Sequence, residues 1–314
     1  MTGYLTVADG PAIHSDQIER NHVIEEPPLS GRSPILTGEV LPTVHSKLRP
    51  TIIVLLMGAA VVGLWVWLLG FRPSNPFHRK PPVPGRLANI PQVVLWAWEQ
   101  PEDLNFLDPA RFGVAYLAKT CTLAGDDVTV RPRLQPLRVP DGTVVIAVVR
   151  IETNSIEDKP SYSDLQAEKL ISVITDPALA RGVSGIQVDF DAKSSERVFY
   201  RNVLVRLRAA LPTRQPLAIT ALASWCYGDD WISGLPIDEA IPMLFRMGVD
   251  NVNIRRLLEA HSDFKAALAL KSVGISTDET LPWIPSGRHV YIFNPKSWTQ
   301  ESVQKAMDEI RQWE

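Results

Sequence analysis

The chain has 314 residues and a formal net charge of −3, with 32 basic against 35 acidic side chains. That balance leaves no basic footprint for nucleic acid. The two cysteines, Cys121 and Cys226, are too few for a disulfide framework or a zinc site, and two reduced, buried thiols are expected.

Residues 1–50 have little sustained apolar periodicity and carry Pro11, Pro27, Pro28, Pro34, Pro42 and Pro50. They read as a disordered tail. Thr51 to Phe71, TIIVLLMGAAVVGLWVWLLGF, contains no charged residue. About 20 apolar residues suffice to cross a bilayer core of roughly 30 Å, so this run predicts one transmembrane helix. Trp65, Trp67 and Phe71 crowd its C-terminal end, where aromatic rings favour the interface. Ala59 and Gly63 sit four apart, a spacing that supports a weak homodimer through the anchor. Prolines 73, 76, 81, 82 and 84 then make 72–89 an extended spacer.

From residue 90 to 314 short apolar runs alternate with helical patterns. Strands are predicted at Val93–Trp98, Gly113–Leu117, Val144–Ile151, Gly185–Phe190, Leu217–Leu222, Ala240–Phe245, Ser272–Ser276 and His289–Phe293. Amphipathic helices are predicted over 163–174, 195–211, 253–270 and 299–313, the last capped by Thr299. Residues 126–143 read as a β-hairpin standing where an ideal barrel would have its second helix. Strands alternating with helices imply a parallel sheet. Eight strands in such a length predict an α/β fold, a (β/α)8 TIM-like barrel; an open doubly wound sheet is the alternative. No G-x-G-x-x-G or P-loop pattern follows a strand, so no nucleotide cofactor is expected. No clustered His or Cys pattern suggests a metal, and no G-x-S-x-G suggests a serine hydrolase.

The most informative stretch is Gly185-Ile-Gln-Val-Asp-Phe-Asp191. Alternation along a strand puts Ile186, Val188 and Phe190 on one face, and Gln187, Asp189 and Asp191 on the other. In a barrel the second set faces the lumen. Both acids lie at the C-terminal strand end, where barrel active sites sit. Two carboxylates that close can share a proton, which raises one pKa as a general acid requires. The competing reading is a structural ion pair with Arg150. Other strand ends add Glu99, Arg150 with Glu152, Trp225 with Tyr227 and Asp229, Arg246, Asn294 and Trp298. Carboxylates interspersed with aromatic rings suit sugar binding. Trp96 and Trp98 are expected in the core.

Ser184-Gly-Ile-Gln-Val-Asp-Phe-Asp191 resembles the D-G-x-D-x-D-x-E strand of the family 18 glycoside hydrolases, the chitinase-like barrels. Asp189 matches the last aspartate and Asp191 the place of the catalytic glutamate, while Ser184 and Gln187 replace the first two aspartates. Met243-Leu-Phe-Arg246 stands where that family carries M-x-Y-D. Over residues 92–313 the chain also resembles a bacterial family described as a domain of unknown function, through Trp96-Ala-Trp-Glu99, Gln187-Val-Asp-Phe-Asp-Ala192 and Pro242-Met-Leu-Phe-Arg-Met-Gly248. The resemblance implies a barrel.

Two readings stay open. One is a membrane-anchored, glycoside-hydrolase-like enzyme acting on an envelope polysaccharide. Asp191 would be its general acid, supported by Asp189, with Glu99, Glu152 or the substrate's acetamido group stabilising the oxocarbenium-like state. The other is a non-catalytic barrel that binds glycan or protein at the membrane. Lys and Arg flank the anchor almost evenly, with a slight excess after it that by itself favours a cytoplasmic barrel and does not settle the orientation. The glycan reading therefore sets the expected topology: single-pass in the inner, cytoplasmic membrane, with the barrel periplasmic or extracellular.

Overall fold

A computed structural model describes residues 85–153, 158–179 and 182–313. The predicted tail, the predicted spanning segment 51–71 and most of the spacer lie outside the described residues. Among the described residues no helix is long and apolar enough to cross a membrane.

Eight parallel strands close on themselves. They are β1 (Val93–Ala97), β3 (Phe112–Ala124), β6 (Val144–Thr153), β7 (Val183–Asp189), β8 (Leu217–Leu222), β9 (Glu239–Met243), β10 (Ser272–Ser276) and β11 (His289–Phe293). Each pairs with the next in chain order, and β1 pairs with both β3 and β11, which removes the sheet edges. All eight predicted strands are present. The second is longer than its apolar run suggested. Beyond a bulge at Leu117/Lys119, β3 continues to pair with β4 (Asp127–Pro132) as an antiparallel hairpin. β5 (Leu137–Arg138) then pairs with the two-residue β2 (Glu102–Asp103). A hairpin does stand in the place of the second helix, but its first strand is the extension of β3 ahead of residue 126; within the predicted 126–143 segment β5 pairs with β2 and not with β4.

One alternation runs round the whole barrel. Leu95, Val149, Ile186, Val188, Ile219, Val273 and Ile292 face outward into the main core. That core is completed by α1 (Asp164–Leu179), α2 (Arg197–Ala210), α4 (Asn251–Glu259) and α5 (Gln300–Arg311). Helix α2 contributes Phe199, Val203, Leu204 and Leu207, a stripe at helical spacing that is fully or almost fully buried. The alternate residues, Val94, Trp96, Ala115, Ile146, Val148, Ala218, Ile241 and Tyr291, fill the lumen. Leu87 and Ile90, just ahead of β1, belong to this second cluster, and Arg86 reaches Asp238 at 2.7 Å.

Position 274 is glycine for a packing reason. A Cβ there would lie 2.9 Å from Cη2 of Trp96, so the bare backbone of β10 makes room for the indole that fills the lumen. Low in the lumen Glu239 is fully buried and bonded on both oxygens, from the Tyr291 hydroxyl at 2.7 Å and to His289 Nδ1 at 3.0 Å. A buried carboxylate needs such partners.

The predicted helix 253–270 is shorter than its periodicity. It stops at Glu259, and His261 takes a left-handed φ of 52°. The backbone amides of Lys265 and Ala266 instead donate to the Cys226 carbonyl, and Arg288 pairs with Asp263. The apolar Phe264, Ala266 and Ala269 that continued the pattern are buried from a turn and a 3-10 segment. At the C-terminus Thr299 caps α5 as expected, accepting from the Ser302 amide at 3.1 Å. Cys121 and Cys226 are buried free thiols, both pushed up to about 12 chiefly by burial.

Candidate active site

A cavity of about 250 Å³ opens among the C-terminal strand ends. Its aromatic wall is Trp96 and Trp98 from β1 and the segment beyond it, Phe293 from β11, and Phe245 from the loop after β9. Phe245 and Phe293 stack with their planes 2° apart and centroids 5.6 Å apart, and Trp98 meets Phe293 edge-on at 6.3 Å. Arg133, from beyond the hairpin, donates to the carbonyls of Ala97, Trp98 and Gln100. It thereby ties down the end of β1 that carries Trp98.

The polar wall comes from β7 and its neighbours. Asp189 and Asp191 both line the cavity, with Thr220 from β8 and Arg150 from β6. In the ring of eight strands β7 is four places from β11, so the carboxylates and Phe293 stand on opposite sides of the mouth. The Thr220 hydroxyl donates to Asp189 Oδ1 at 2.6 Å, and the Arg150 Nε lies 3.9 Å from Oδ2. The same Arg150 Nε lies 3.2 Å from Glu152. Glu152 lines an adjoining recess of about 210 Å³ together with Arg150, Asp189 and Asp191. Below them Gln187 accepts from the Trp96 indole at 3.3 Å.

Burial sets the electrostatics of the pair. Desolvation raises Asp189 from 3.8 to about 6. The Thr220 hydrogen bond and Arg150 oppose the rise, and the charges on Asp191 and Glu152 add to it. Asp191 stands exposed by surface area, yet the surrounding protein still raises its carboxyl, through desolvation partly offset by Arg150. Asp191 has no hydrogen bond or ion pair among the described residues. The arrangement therefore offers one inner carboxyl anchored by Thr220 and one outer, unengaged carboxyl. Both are biased towards the protonated form, and both face an aromatic wall.

Arg246, three residues past the end of β9, has a φ of 50°. It lines the cavity, with its guanidinium over Phe245 at 5.8 Å and Phe293 at 5.3 Å and ion pairs to Asp278 at 2.9 Å and Glu279 at 3.6 Å.

The other candidates stand elsewhere. Glu99 points to the outside and pairs with Arg131 of β4 at 2.9 Å. Trp225 and Tyr227 lie on the short helix α3 (Ala223–Tyr227) and are buried in the outer core. Trp225 packs edge-on against Trp231, and Tyr227 packs on Phe264 with its hydroxyl donated to the Ser262 carbonyl. Asp229 is held by Arg197 at 2.6 Å and accepts from the Trp231 amide. Trp298 is buried, its indole donating to the Trp96 carbonyl at 2.9 Å. Asn294 accepts from Thr277 at 2.7 Å and does not line the cavity. The sequence fifth strand is followed at once by a helical turn, which swings these aromatics outward. Strand parity cannot be extended through it.

Several lining residues escaped the sequence reading. Trp98, Thr220 and Phe293 each lie two residues past a lumen residue, Trp96, Ala218 and Tyr291. The period-two rule was therefore enough to place them one layer higher, at the mouth. Met243, two past the lumen residue Ile241, follows the same rule, whereas Met247 and Asp250 complete the rim after β9 and carried no comparable signal.

No family model matches the chain, and no curated protein matches it. Among solved structures, a chitinase A from Streptomyces coelicolor superimposes with a TM-score of 0.43 at 10% identity, over 70% of this chain and 96% of that one. The spore cortex-lytic enzyme SleL of Bacillus cereus superimposes with a TM-score of 0.39 at 16% identity, over 59% of this chain and 50% of that one. At such overlaps the chemistry rests on the cavity's own residues.

Proposed function

We propose that the barrel is a glycoside-hydrolase-like enzyme acting on an envelope polysaccharide. It is held at the inner membrane by residues 51–71, with the barrel on the periplasmic or extracellular side. The observation that carries the reading is the pairing, in one open cavity, of two raised carboxyls with an aromatic wall across the mouth. A pyranose ring stacks on Trp98 or Phe293, and its glycosidic oxygen is presented to Asp191.

In this reading Asp191 donates its proton to the glycosidic oxygen. The bond from that oxygen to the anomeric carbon breaks, and its electron pair goes to the departing hydroxyl. Positive charge on the sugar is compensated by the neighbouring carboxylates, of which Glu152 replaces Glu99 as the second acid because it borders the same recess. Water then bonds to the anomeric carbon, and its surplus proton restores Asp191. Asp189, fixed by Thr220, lines the same cavity beside the acid, and burial is what holds the Asp191 carboxyl up.

Purified full-length protein incubated with envelope polysaccharide and analysed by mass spectrometry tests the proposal. Released oligosaccharides that disappear in Asp191→Asn are the expected result. Retained glycan binding with no turnover would instead leave a binding barrel.

A further inference from the structure

The cavity is strongly unbalanced in charge. Asp189, Asp191 and Asp250 line it, Glu152 borders the adjoining recess, and Asp278 and Glu279 hold one of its arginines. Even with Asp191 carrying its proton, five carboxylates remain against two guanidiniums, Arg150 and Arg246, and both of those are engaged. Arg150 lies between Glu152 and Asp189, and Arg246 is held by Asp278 and Glu279. Neither is left to receive an anionic group.

Asp191 and Asp250, by contrast, have no ion pair or side-chain hydrogen bond among the described residues. Asp250 sits at the N-cap position of α4, but its side chain does not cap that helix. The usual structural reason for an acid at that position is therefore missing. A concave site with one sign of charge and apolar walls concentrates the opposite charge. The aromatic wall acts in the same direction, since ring faces attract cations, and Arg246 already lies over two of them.

We infer that the cavity selects a sugar carrying a free ammonium group, a de-N-acetylated amino sugar, and that Asp250 receives the ammonium. The inference rests on the glycan reading above and names its substrate class. Asp191 then remains free for the glycosidic oxygen, because Asp250 follows β9, two strands round the ring from the strand that Asp191 follows. An N-acetylated ring would leave Asp250 without a partner. A uronic acid would meet uncompensated carboxylates.

The test is calorimetric titration of the full-length protein with glucosamine oligomers and with N-acetylglucosamine oligomers of equal length, at a pH where the amine is charged. Wild type should prefer the cationic oligomer by roughly tenfold or more. Added salt should weaken that oligomer alone. Asp250→Asn should bring the ratio close to one, and Asp250→Glu should restore most of it, which a merely structural role for Asp250 would not do. Equal binding of the two oligomers, or a preference unchanged in Asp250→Asn, overturns the inference and leaves the glycan reading standing. Binding of neither oligomer, with no release from envelope polysaccharide, overturns both.

Discussion

The Thr220 hydroxyl donates to Asp189 Oδ1 at 2.6 Å, across the β7–β8 pair. Among the described residues this is the one hydrogen bond that steadies the inner carboxylate against its own desolvation, and it works against the rise of that group to about 6. Thr220→Val keeps the shape and removes the donor. Asp189 should then titrate still higher, which NMR titration of its carboxyl reads directly. An unmoved carboxyl would show that the Thr220 bond does not set the ionisation of Asp189.

Asp189 also makes a prediction about stability. In the unfolded chain its carboxyl ionises near 3.8, and in the barrel at about 6. Below about pH 4 it is protonated in both states. Between these values the native state holds a proton that the unfolded chain has lost, so this group's contribution falls as pH rises through about 6. The whole effect is on the order of 3 kcal/mol. Asp189→Asn removes the titration and still accepts from Thr220. It should therefore melt higher than wild type at pH 8 and gain little at pH 4. Arg150 keeps Glu152 at 3.2 Å, so it is not stranded. A loss of 3–5 kcal/mol at every pH would instead identify an ion pair whose breakage dominates.

Asp191→Asn should leave the fold and glycan binding nearly unchanged, because the outer carboxyl has no bonded partner among the described residues. Turnover should fall by about 10²–10⁴-fold, the usual contribution of a general acid. Kinetics and melting temperature measured on the same variant decide the matter. Lost stability with unchanged turnover would reject Asp191 as the acid.

The residues that share a face of a regular strand were legible in the sequence. Ile186, Val188 and Phe190 pack outward, and Gln187 and Asp189 point into the lumen, because nothing interrupts the alternation of β7. The eight strands were legible for the same reason. Where the chain leaves a strand, parity stops carrying information. Trp225, Tyr227 and Asp229 looked like rim residues of the fifth strand, yet α3 begins at Ala223 and turns them into the outer core. Glu99 failed similarly, since the hairpin supplied Arg131 from a segment that no local pattern connects to it. Trp98 was missed in the opposite sense. Its apolar ring suggested core, while its position beyond the end of β1 made it part of the mouth.

Gly274→Ala should be costly for so small a change. The added Cβ would meet the Trp96 ring at 2.9 Å, and the indole cannot retreat without losing its 3.3 Å bond to Gln187 and its packing on Tyr291. Overpacking of this kind costs typically 1–3 kcal/mol. Denaturant unfolding should show that loss, with a shift in tryptophan emission as the indole moves. Trp96→Phe in the same background should recover part of it, because the smaller ring relieves the contact.

Membrane orientation is open to a direct assay. Three basic residues (Arg32, Lys47, Arg49) precede the apolar segment and four (Arg72, Arg79, Lys80, Arg86) follow it closely, so charge alone does not set the topology. With an envelope glycan as substrate, alkaline phosphatase fused after Glu314 should be active. A well-expressed but inactive fusion would place the barrel on the cytoplasmic side and remove envelope polysaccharide as the substrate.

The start of the folded unit makes the last prediction. A fragment from residue 86 to 314 should fold by itself, since the lumen and the outer core are both completed by residues after Arg86. A fragment beginning at Gln92 should fold less stably, because three interactions are lost together. Leu87 and Ile90 pack against the lumen cluster, and Arg86 reaches Asp238 at 2.7 Å. The ion pair is half-exposed on the arginine side and adds at most about 1 kcal/mol. Ile90 is almost fully buried, and removing it from that position costs about 1.5–3 kcal/mol in transfer free energy alone. The apolar groups should therefore dominate, and the deficit should persist at high salt. Circular dichroism melts of both fragments at low and high ionic strength measure this. Equal melting temperatures would show that the barrel floor closes without the segment ahead of β1, whereas a deficit abolished by salt would assign the effect to Arg86 and Asp238.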